Sequence, residues 1–248
     1  MSYRLKALVH GPSGAGKSWL GASTPGPRLV LDAEGGSHFA KQVSSDGTKE
    51  RPPHREWDVM IDPPPTELDP NESVFVRIRS MQDLTQTLNQ LQRGTHEFRS
   101  VVLDSLTDIQ LTCRYDMRDS SDSVTSIRDW GILLDSMIEL CREFRDLTDH
   151  PVHPLECVLI ICGSEQIDGQ WRPQVQGGLA RRLAGYFDVV MYLTVETDML
   201  SQQSVHRAHV RQSLSWVAKD RTDELGDHVD NPDIRKLMWM INEGESSD

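Results

Sequence analysis

Runs of apolar residues alternate along the chain with longer stretches in which apolar positions recur every three or four residues. The runs predict buried β-strands, and the periodic stretches predict helices that pack through one face. Strands are expected at 4–9, Arg28–Asp32, 74–78, Ser100–Asp104, Cys157–Cys162 and 188–193, with edge strands at 205–211 and 213–218. This alternation predicts an α/β fold with a doubly wound, mostly parallel sheet and antiparallel edge strands near the C-terminus.

The predicted helices begin at recognisable cap residues. One starts at Ser80, which forms a capping pair with Asp83 ahead of leucines spaced along one face. Another starts at Asn231-Pro232, a good cap and first helical position, and ends near Ile241. Further helices are expected at 16–22, from Asp129 and through 179–186.

The connecting segments carry turn and breaker residues. Residues 41–72 are polar and proline-rich, and we interpret them as an insertion or long connection with a short strand at 57–61. Residues 113–128 are expected to form a loop or weak helix, and 163–178 a polar loop. A single domain is expected over residues 1–243, with a disordered tail at 244–248.

The composition is that of a globular protein, with 37% hydrophobic and 26% charged residues. No apolar run approaches the length of a membrane span and no signal pattern opens the chain, so we expect a cytoplasmic protein without a membrane anchor. The 4 cysteines never form a C-x-x-C pair, which favours buried thiols over disulfides or zinc. The net charge of −12 leaves only a local basic strip for any contact with DNA.

One stretch after the first strand carries specific chemistry. Residues 11–18 fit G-x-x-x-x-G-K-[ST], the phosphate-binding loop of nucleoside triphosphatases. The glycines let backbone N–H groups turn inward, and the following helix directs its positive end to the same point. Lys17 can then reach the β- and γ-phosphates, and the Ser18 hydroxyl can ligate Mg²⁺. The predicted nucleotide-binding residues are Gly11, Pro12, Ser13, Gly14, Ala15, Gly16, Lys17, Ser18 and Trp19.

Two acids at strand ends complete the candidate site. Asp104 ends a buried strand after the loop, as a magnesium-holding acid must. Because Ser105 rather than a glutamate follows it, the group that orients water has to come from elsewhere. Glu34 ends the second strand, which we expect beside the loop strand or next but one, and we interpret it as the catalytic base.

The segments 11–18, 31–34 and 102–105, taken in order, resemble the core of RecA-type ATPases. The resemblance spans about residues 4–221. Within this class the sequence looks most like the small phage-encoded RecA-like ATPases of single-strand annealing and recombination. It implies ATP hydrolysis with Mg²⁺ by a homo-oligomer that acts on single-stranded DNA, together with an annealing or single-strand-binding protein. No polymerisation helix precedes the loop, so a filament built through such an arm is not expected.

The same resemblance implies further roles. Residues 160–166 resemble a strand that ends in a sensing glutamine and opens a DNA-binding loop, which implies Gln166 as the sensor. Lys219 and Arg221 are similar to a Lys-x-Arg element that reaches a neighbouring subunit's γ-phosphate, although an ordinary exposed pair has the same pattern. Cations beside an aromatic ring suit single strands, and a plain solvated loop is the alternative. The candidate DNA contacts are Trp171, Arg172, Arg181 and Arg182.

The sequence departs from the RecA-type pattern at two positions, and it leaves two other functions as alternatives. Trp19 is bulky where a small or hydroxyl residue is common, and Glu165 stands where asparagine is frequent. The residues also fit a P-loop kinase for a small acceptor, with 163–182 as its lid, and a binding module that ATP switches without turnover. No base-reading motif is evident, so the sequence leaves ATP and GTP as alternatives.

Overall fold

A computed structural model describes residues 3–40, 42–43, 49–116, 127–197 and 203–245. Over these ranges the strands are β1 (Leu5–His10), β2 (Arg28–Asp32), β3 (Gln42–Val43), β4 (Lys49–Glu50), β5 (His54–Glu56), β6 (Ser73–Arg77), β7 (Ser100–Asp104), β8 (Cys157–Cys162), β9 (Ser164–Ile167), β10 (Gln170–Pro173), β11 (Val189–Thr197), β12 (Ser204–His209), β13 (Lys219–Asp220) and β14 (His228–Asp230). The α-helices are α1 (Lys17–Ala22), α2 (Met81–Gln92), α3 (Leu106–Asp116), α4 (Ile127–Asp146), α5 (Leu179–Arg182) and α6 (Ile234–Glu245). Short 3₁₀ turns lie at Ser37–Phe39, Leu147–Asp149 and Leu183–Tyr186.

The main sheet has the strand order β14-β12-β11-β1-β8-β7-β2-β6-β5, with β13 paired to β11. The strands from β11 to β5 in this order are parallel, and β12, β13 and β14 run antiparallel to their partners. The prediction of a mostly parallel sheet with antiparallel strands from the C-terminal part is therefore confirmed. Because the parallel strands run in register, their carboxyl ends meet at one edge of the sheet.

Helices cover both faces of this sheet. Successive residues of β1 point to opposite sides, so Leu8 joins one buried cluster while Ala7 and Val9 join the other. The first cluster includes residues from α2, α3, α4 and α5, and the second includes residues from α1 and α6. The sheet is therefore doubly wound, as predicted, and no described helix is long and apolar enough to cross a membrane.

The position of the second strand corrects one prediction. Strand β2 was expected beside β1 or next but one, whereas β8 and β7 both lie between them. The glutamate after β2 consequently approaches the loop after β1 from across two strands. A second correction concerns the proline-rich segment, where the described strands are β3, β4 and β5 and residues 57–61 form none.

Other differences concern segments that were read as irregular. Residues 163–178 contain the hairpin β9–β10 instead of a loop only, because Asp168 and Gly169 both have positive φ angles (51° and 81°) and close a two-residue turn. The predicted strand at 213–218 is absent, and the chain there makes only a single bridge, between Trp216 and Trp171.

Two helix boundaries also differ from those predicted. Helix α3 starts at Leu106, ahead of the predicted loop or weak helix, most of which lies outside the described residues. Helix α6 continues to Glu245 and so takes up the first two residues of the predicted tail, whereas 246–248 also lie outside the described ranges.

Candidate functional site

The loop between β1 and α1 has the backbone conformation that its glycines allow. Gly14 and Gly16 have φ angles of 80° and 95°, which residues with a Cβ rarely adopt. At Gly16 a Cβ would also lie 3.0 Å from Nδ1 of His206 on β12. The loop therefore keeps its curved path only with glycine at this position.

Lys17 lies folded over its own loop. Its ammonium group donates to the carbonyl oxygens of Gly11 and Pro12, both at 2.9 Å. Partial burial lowers the pKa of Lys17, and the nearby carboxylates of Glu34 and Asp104 act in the opposite direction. The cation thus sits between the loop and the acids that the sequence assigned to the site.

Asp104 is buried at the end of β7 among hydroxyl groups. The Ser18 hydroxyl donates to its carboxylate, and Ser37 Oγ lies 2.9 Å from Asp104 Oδ2 and 2.9 Å from Asp32 Oδ1. Burial raises the pKa of Asp104, and the charge of Asp32 raises it further. Since a serine hydroxyl carries one hydrogen, Ser37 can donate to only one of the two carboxylates at a time.

Glu34 reaches this group of residues from the turn after β2. It lies within hydrogen-bonding reach of Ser105 and of Asp108 in the first turn of α3, and Ser105 Oγ is 2.6 Å from Asp108 Oδ2. The pKa of Glu34 is raised, first by partial burial and then by the charge of Asp104. Asp108 was not predicted, because its position on α3 carries no motif.

These side chains line one recess, which we call the main cleft, of about 750 Å³. Of the predicted site residues, its walls include all of Gly11, Pro12, Ser13, Gly14, Gly16, Lys17, Ser18, Trp19, Glu34 and Asp104. The fold therefore brings the loop, the strand-end aspartate and the glutamate to the same place, despite the two strands between β1 and β2. Asp108, Gln174 and His206 line the main cleft as well and were not foreseen.

The residues around Asp104 fit a magnesium ion. Among the described residues no group of three or more His, Cys, Asp or Glu side chains is arranged to hold a metal. Mg²⁺ bound with a nucleotide does not need such a group, because it takes one or two protein oxygens and completes its shell with phosphates and water. The Ser18 hydroxyl and the Asp104 carboxylate, which are hydrogen-bonded to each other, provide such a pair of oxygen ligands.

The structure places Gln166 away from the main cleft. It is exposed on β9, and its Nε2 donates to Gly169 O at 3.3 Å within the hairpin turn. The glutamine that lines the main cleft is Gln174, whose backbone N–H donates to Gly163 O at 2.9 Å at the base of the hairpin. The Asp168-Gly169 pair was the available sequence signal for this hairpin.

Lys219 and Arg221 lie at the amino ends of the parallel strands, whereas the loop lies at their carboxyl ends. Strand β13 pairs with the first residues of β11, and the Lys219 ammonium donates to Ala184 O at 2.7 Å. Arg221 donates to Asp188 Oδ1 at 2.9 Å and to Gly185 O at 3.0 Å. The fold does not bring this pair to the chain's own main cleft, so a role at a phosphate requires a second subunit.

The predicted DNA contacts fall on or near the hairpin. Trp171 is partly buried, its N–H donates to Ser215 O at 2.8 Å, and its ring is parallel to that of Tyr192 at 6.2 Å between centroids. Arg172 donates to Gln170 Oε1 at 3.0 Å, whereas Arg182 is exposed. Arg181 belongs to α5, but its side chain lies outside the described part of the chain.

Two histidines that the sequence did not single out anchor the loop and the strand that precedes it. His10, the last residue of β1, is fully buried, with Nδ1 2.7 Å from Ser164 Oγ and Nε2 2.7 Å from Val217 O. His206 Nδ1 lies 2.8 Å from Ala15 O in the loop itself. Both contacts join residues more than 150 positions apart, which no local pattern reveals.

Comparison with solved structures finds distant similarities. The flagellar accessory protein FlaH from Methanocaldococcus jannaschii matches with 7% identity and a TM-score of 0.45, over 93% of this chain and 85% of that one. A KaiC-like protein from Pyrococcus horikoshii OT3 matches with 12% identity and a TM-score of 0.42, over 85% and 79%. An ATPase of a bacterial type III secretion system matches with 12% identity and a TM-score of 0.45, over 77% and 52%. None of the curated proteins matches.

The sequence itself matches a protein family. Residues 4–222 fit the AAA_24 family, described as an AAA domain. The matched region begins before the phosphate-binding loop, ends after β13 and includes Lys17, Glu34 and Asp104. With the strand arrangement, this confirms the predicted α/β fold with a P-loop core. The chain belongs to the AAA_24 family of AAA domains.

Proposed function

We propose that the protein is a Mg²⁺-dependent ATPase. The observation that carries this proposal is that Lys17, Ser18, Asp104 and Glu34 line a single cleft. A loop that binds phosphate, a pair of oxygen donors for a metal and a carboxylate beside them are the parts that phosphoryl transfer to water requires. The AAA domain family supports nucleotide binding as the general activity.

Each residue has a distinct part in the proposed reaction. The loop amides and the Lys17 ammonium bind the β- and γ-phosphates, and Ser18 and Asp104 would hold Mg²⁺, which offsets charge on the transferred phosphoryl group. Glu34 orients a water molecule toward the γ-phosphate and accepts its proton. Asp108, which contacts both Ser105 and Glu34, restricts where the Glu34 carboxylate can point.

We further propose that the protein works as a homo-oligomer. Arg221 and Lys219 lie at the amino ends of the parallel strands, away from the main cleft of their own chain. The main cleft of a neighbouring subunit can face them there. Arg221 is exposed, and its ion pair with Asp188 is of the kind that exchanges readily with another anion. An arginine supplied across an interface raises the rate of phosphoryl transfer by about 10³–10⁵-fold.

Single-stranded DNA is the proposed partner of the hairpin, in recombination or annealing of the phage type together with an annealing or single-strand-binding protein. Both ends of the hairpin stay next to the main cleft, since Ser164 and Gln174 line it. The hairpin also carries Trp171, which is partly exposed and, like Trp216, packs its ring on the buried Tyr192. Aromatic rings of this kind bind bases without regard to sequence.

ATPase rates measured with and without single-stranded DNA test the proposal. The wild type should release phosphate in the presence of Mg²⁺, and DNA should raise the rate of release. Glu34→Gln should lose ATP turnover. Arg221→Ala should also lose ATP turnover but should still sediment as an oligomer. Arg93→Ala, an exposed arginine outside both regions, is the matched control.

Three outcomes would count against it. If a monomer hydrolyses ATP at a rate that neither DNA nor Arg221→Ala changes, the proposed oligomer and the proposed DNA partner are both wrong. Tight ATP binding without turnover would favour an ATP-switched module instead. Transfer of label from ATP to a metabolite would favour a kinase.

A further inference from the structure

A second recess, which we call the side cleft, adjoins the main cleft and has a volume of about 360 Å³. Gly16, Trp19, Lys49 and His206 line both recesses, so the two meet across the start of α1. The phosphate-binding loop therefore opens in two directions. None of the roles assigned above uses the side cleft.

The two directions differ in charge. Glu34, Asp104 and Asp108 line the main cleft, and none of them lines the side cleft. Among the described residues that line the side cleft, Asp233 is the one carboxylate, and it is occupied at the start of α6, where it accepts the Lys236 N–H at 3.1 Å and pairs with Arg235 at 3.1 Å. One direction is thus acidic, and the other is mostly neutral.

This difference sets the direction in which a nucleotide must lie. The γ-phosphate belongs at the acidic end, because the metal-holding aspartate and the water-orienting glutamate act there. A nucleoside triphosphate is linear, and its other phosphates lie on the loop amides. The sugar and base must therefore leave the loop toward Trp19, away from Glu34.

We propose that the side cleft binds the nucleobase of the nucleotide and that Trp19 stacks on it. This inference rests on the proposed ATPase function. The Trp19 side chain is 36% exposed although its neighbour Leu20 is buried, so its ring is available at the surface of the recess. The Lys49 ammonium lies over one face of the ring, 4.7 Å from its centroid, so a base that stacks on this face replaces the ammonium there. A base that takes this place leaves Lys49 beside the phosphates, because Lys49 lines both recesses.

The remaining walls suit a flat, mostly apolar ring with a polar edge. Leu193 is a buried residue that lines the side cleft on one side, and the exposed Asn231 brings an amide to another. Asn231 is held in place by two hydrogen bonds, from its N–H to His206 O at 2.6 Å and from the His206 N–H to its Oδ1 at 3.3 Å. Stacking on a tryptophan does not depend on which base is bound, in keeping with a chain that lacks a base-reading motif.

Isothermal titration of the full chain with ADP and with pyrophosphate, both with Mg²⁺, tests this inference. The two ligands share the diphosphate and differ in the nucleoside. Trp19→Ala should weaken ADP binding about tenfold and leave pyrophosphate binding unchanged, because base stacking alone is lost. Trp19→Phe, which keeps an aromatic ring, should restore most of the ADP affinity. Trp239→Ala, an exposed tryptophan on α6 that lines neither recess, should change neither ligand.

Two results would overturn the inference in different ways. If the wild type binds ADP no more tightly than pyrophosphate, or Trp19→Ala binds ADP as the wild type does, the base lies elsewhere while the proposed ATPase function stands. If the wild type binds neither ligand, the nucleobase subsite and the proposed function fail together.

Discussion

The buried histidine at the end of β1 should make the stability of the protein depend on pH. A backbone carbonyl only accepts hydrogen bonds, so His10 must donate from Nε2 to Val217 O and accept the Ser164 hydroxyl at Nδ1. Burial lowers the pKa of His10 from 6.5 to about 4; the bond to Val217 opposes this and the charge of Lys17 adds to it. The folded protein therefore keeps His10 neutral at pH values where the unfolded chain has already taken up a proton.

The size of the effect follows from these two pKa values. The contribution of neutral His10 to folding stability is fully present above pH 6.5. It is lost as the pH falls toward about 4, because the unfolded state binds the extra proton. Relative to pH 7.5, this one residue should lower the free energy of unfolding by about 1 kcal/mol at pH 5.5 and about 2–3 kcal/mol at pH 4.5. Burial also lowers the pKa of His96 to about 4, so the wild type should show both contributions.

Urea unfolding at pH 7.5, 5.5 and 4.5, followed by circular dichroism, measures the effect. His10→Gln should be less stable than the wild type at pH 7.5, because it loses two buried hydrogen bonds, but should lose less additional stability on acidification. His96→Gln is the matched variant, since it removes the other contribution and keeps that of His10. If wild type and His10→Gln lose stability in parallel between pH 7.5 and 4.5, the assignment of a neutral, buried imidazole to His10 is wrong.

Three further outcomes follow from the geometry of the site and the core. Gly16→Ala should weaken ADP binding by at least about fivefold in calorimetry, because a Cβ at this φ angle and beside His206 costs on the order of 1–3 kcal/mol. Ser37→Ala should raise the Mg²⁺ concentration for half-maximal ATPase activity about fivefold, since Asp104 loses a hydrogen bond of about 1 kcal/mol; an unchanged magnesium dependence would contradict this. Leu103→Ala should lower the free energy of unfolding by about 2–5 kcal/mol, as Leu103 is fully buried between the sheet and its helices, and a loss below about 1 kcal/mol in urea unfolding would contradict that.

The sequence was most informative where apolar runs are continuous. Strands β2, β7 and β8 have the bounds that were predicted, because buried parallel strands need uninterrupted apolar residues between polar ends. The capping pair at Ser80 and Asp83 is present with both of its hydrogen bonds. Local chemistry thus determined these elements, together with the loop and the acid at the end of β7.

The errors arose where distant residues decide the local structure. Residues 213–218 alternate in polarity like a strand, yet Leu214 is 95% exposed and Trp216 packs on the ring of His209, 4.2 Å away. The contacts of His10 with Val217 and of His206 with Ala15 join distant parts of the chain, and the order of strands between β1 and β2 is a property of the whole sheet. Gln166 and Gln174 likewise could be told apart only after the hairpin placed one of them at its tip and the other at the main cleft.

The place of β1 in the sheet has a consequence for how the protein is made. Its two neighbours are β8 and β11, which lie about 150 and 180 residues later in the chain. During synthesis this apolar strand leaves the ribosome long before either partner exists, and nascent chains that end before residue 189 cannot complete its pairing. Contacts of such long sequence separation slow folding, so the strand that bears the phosphate-binding loop should be among the last to settle. A chaperone that shields short apolar segments is therefore expected to bind β1 while the chain is incomplete.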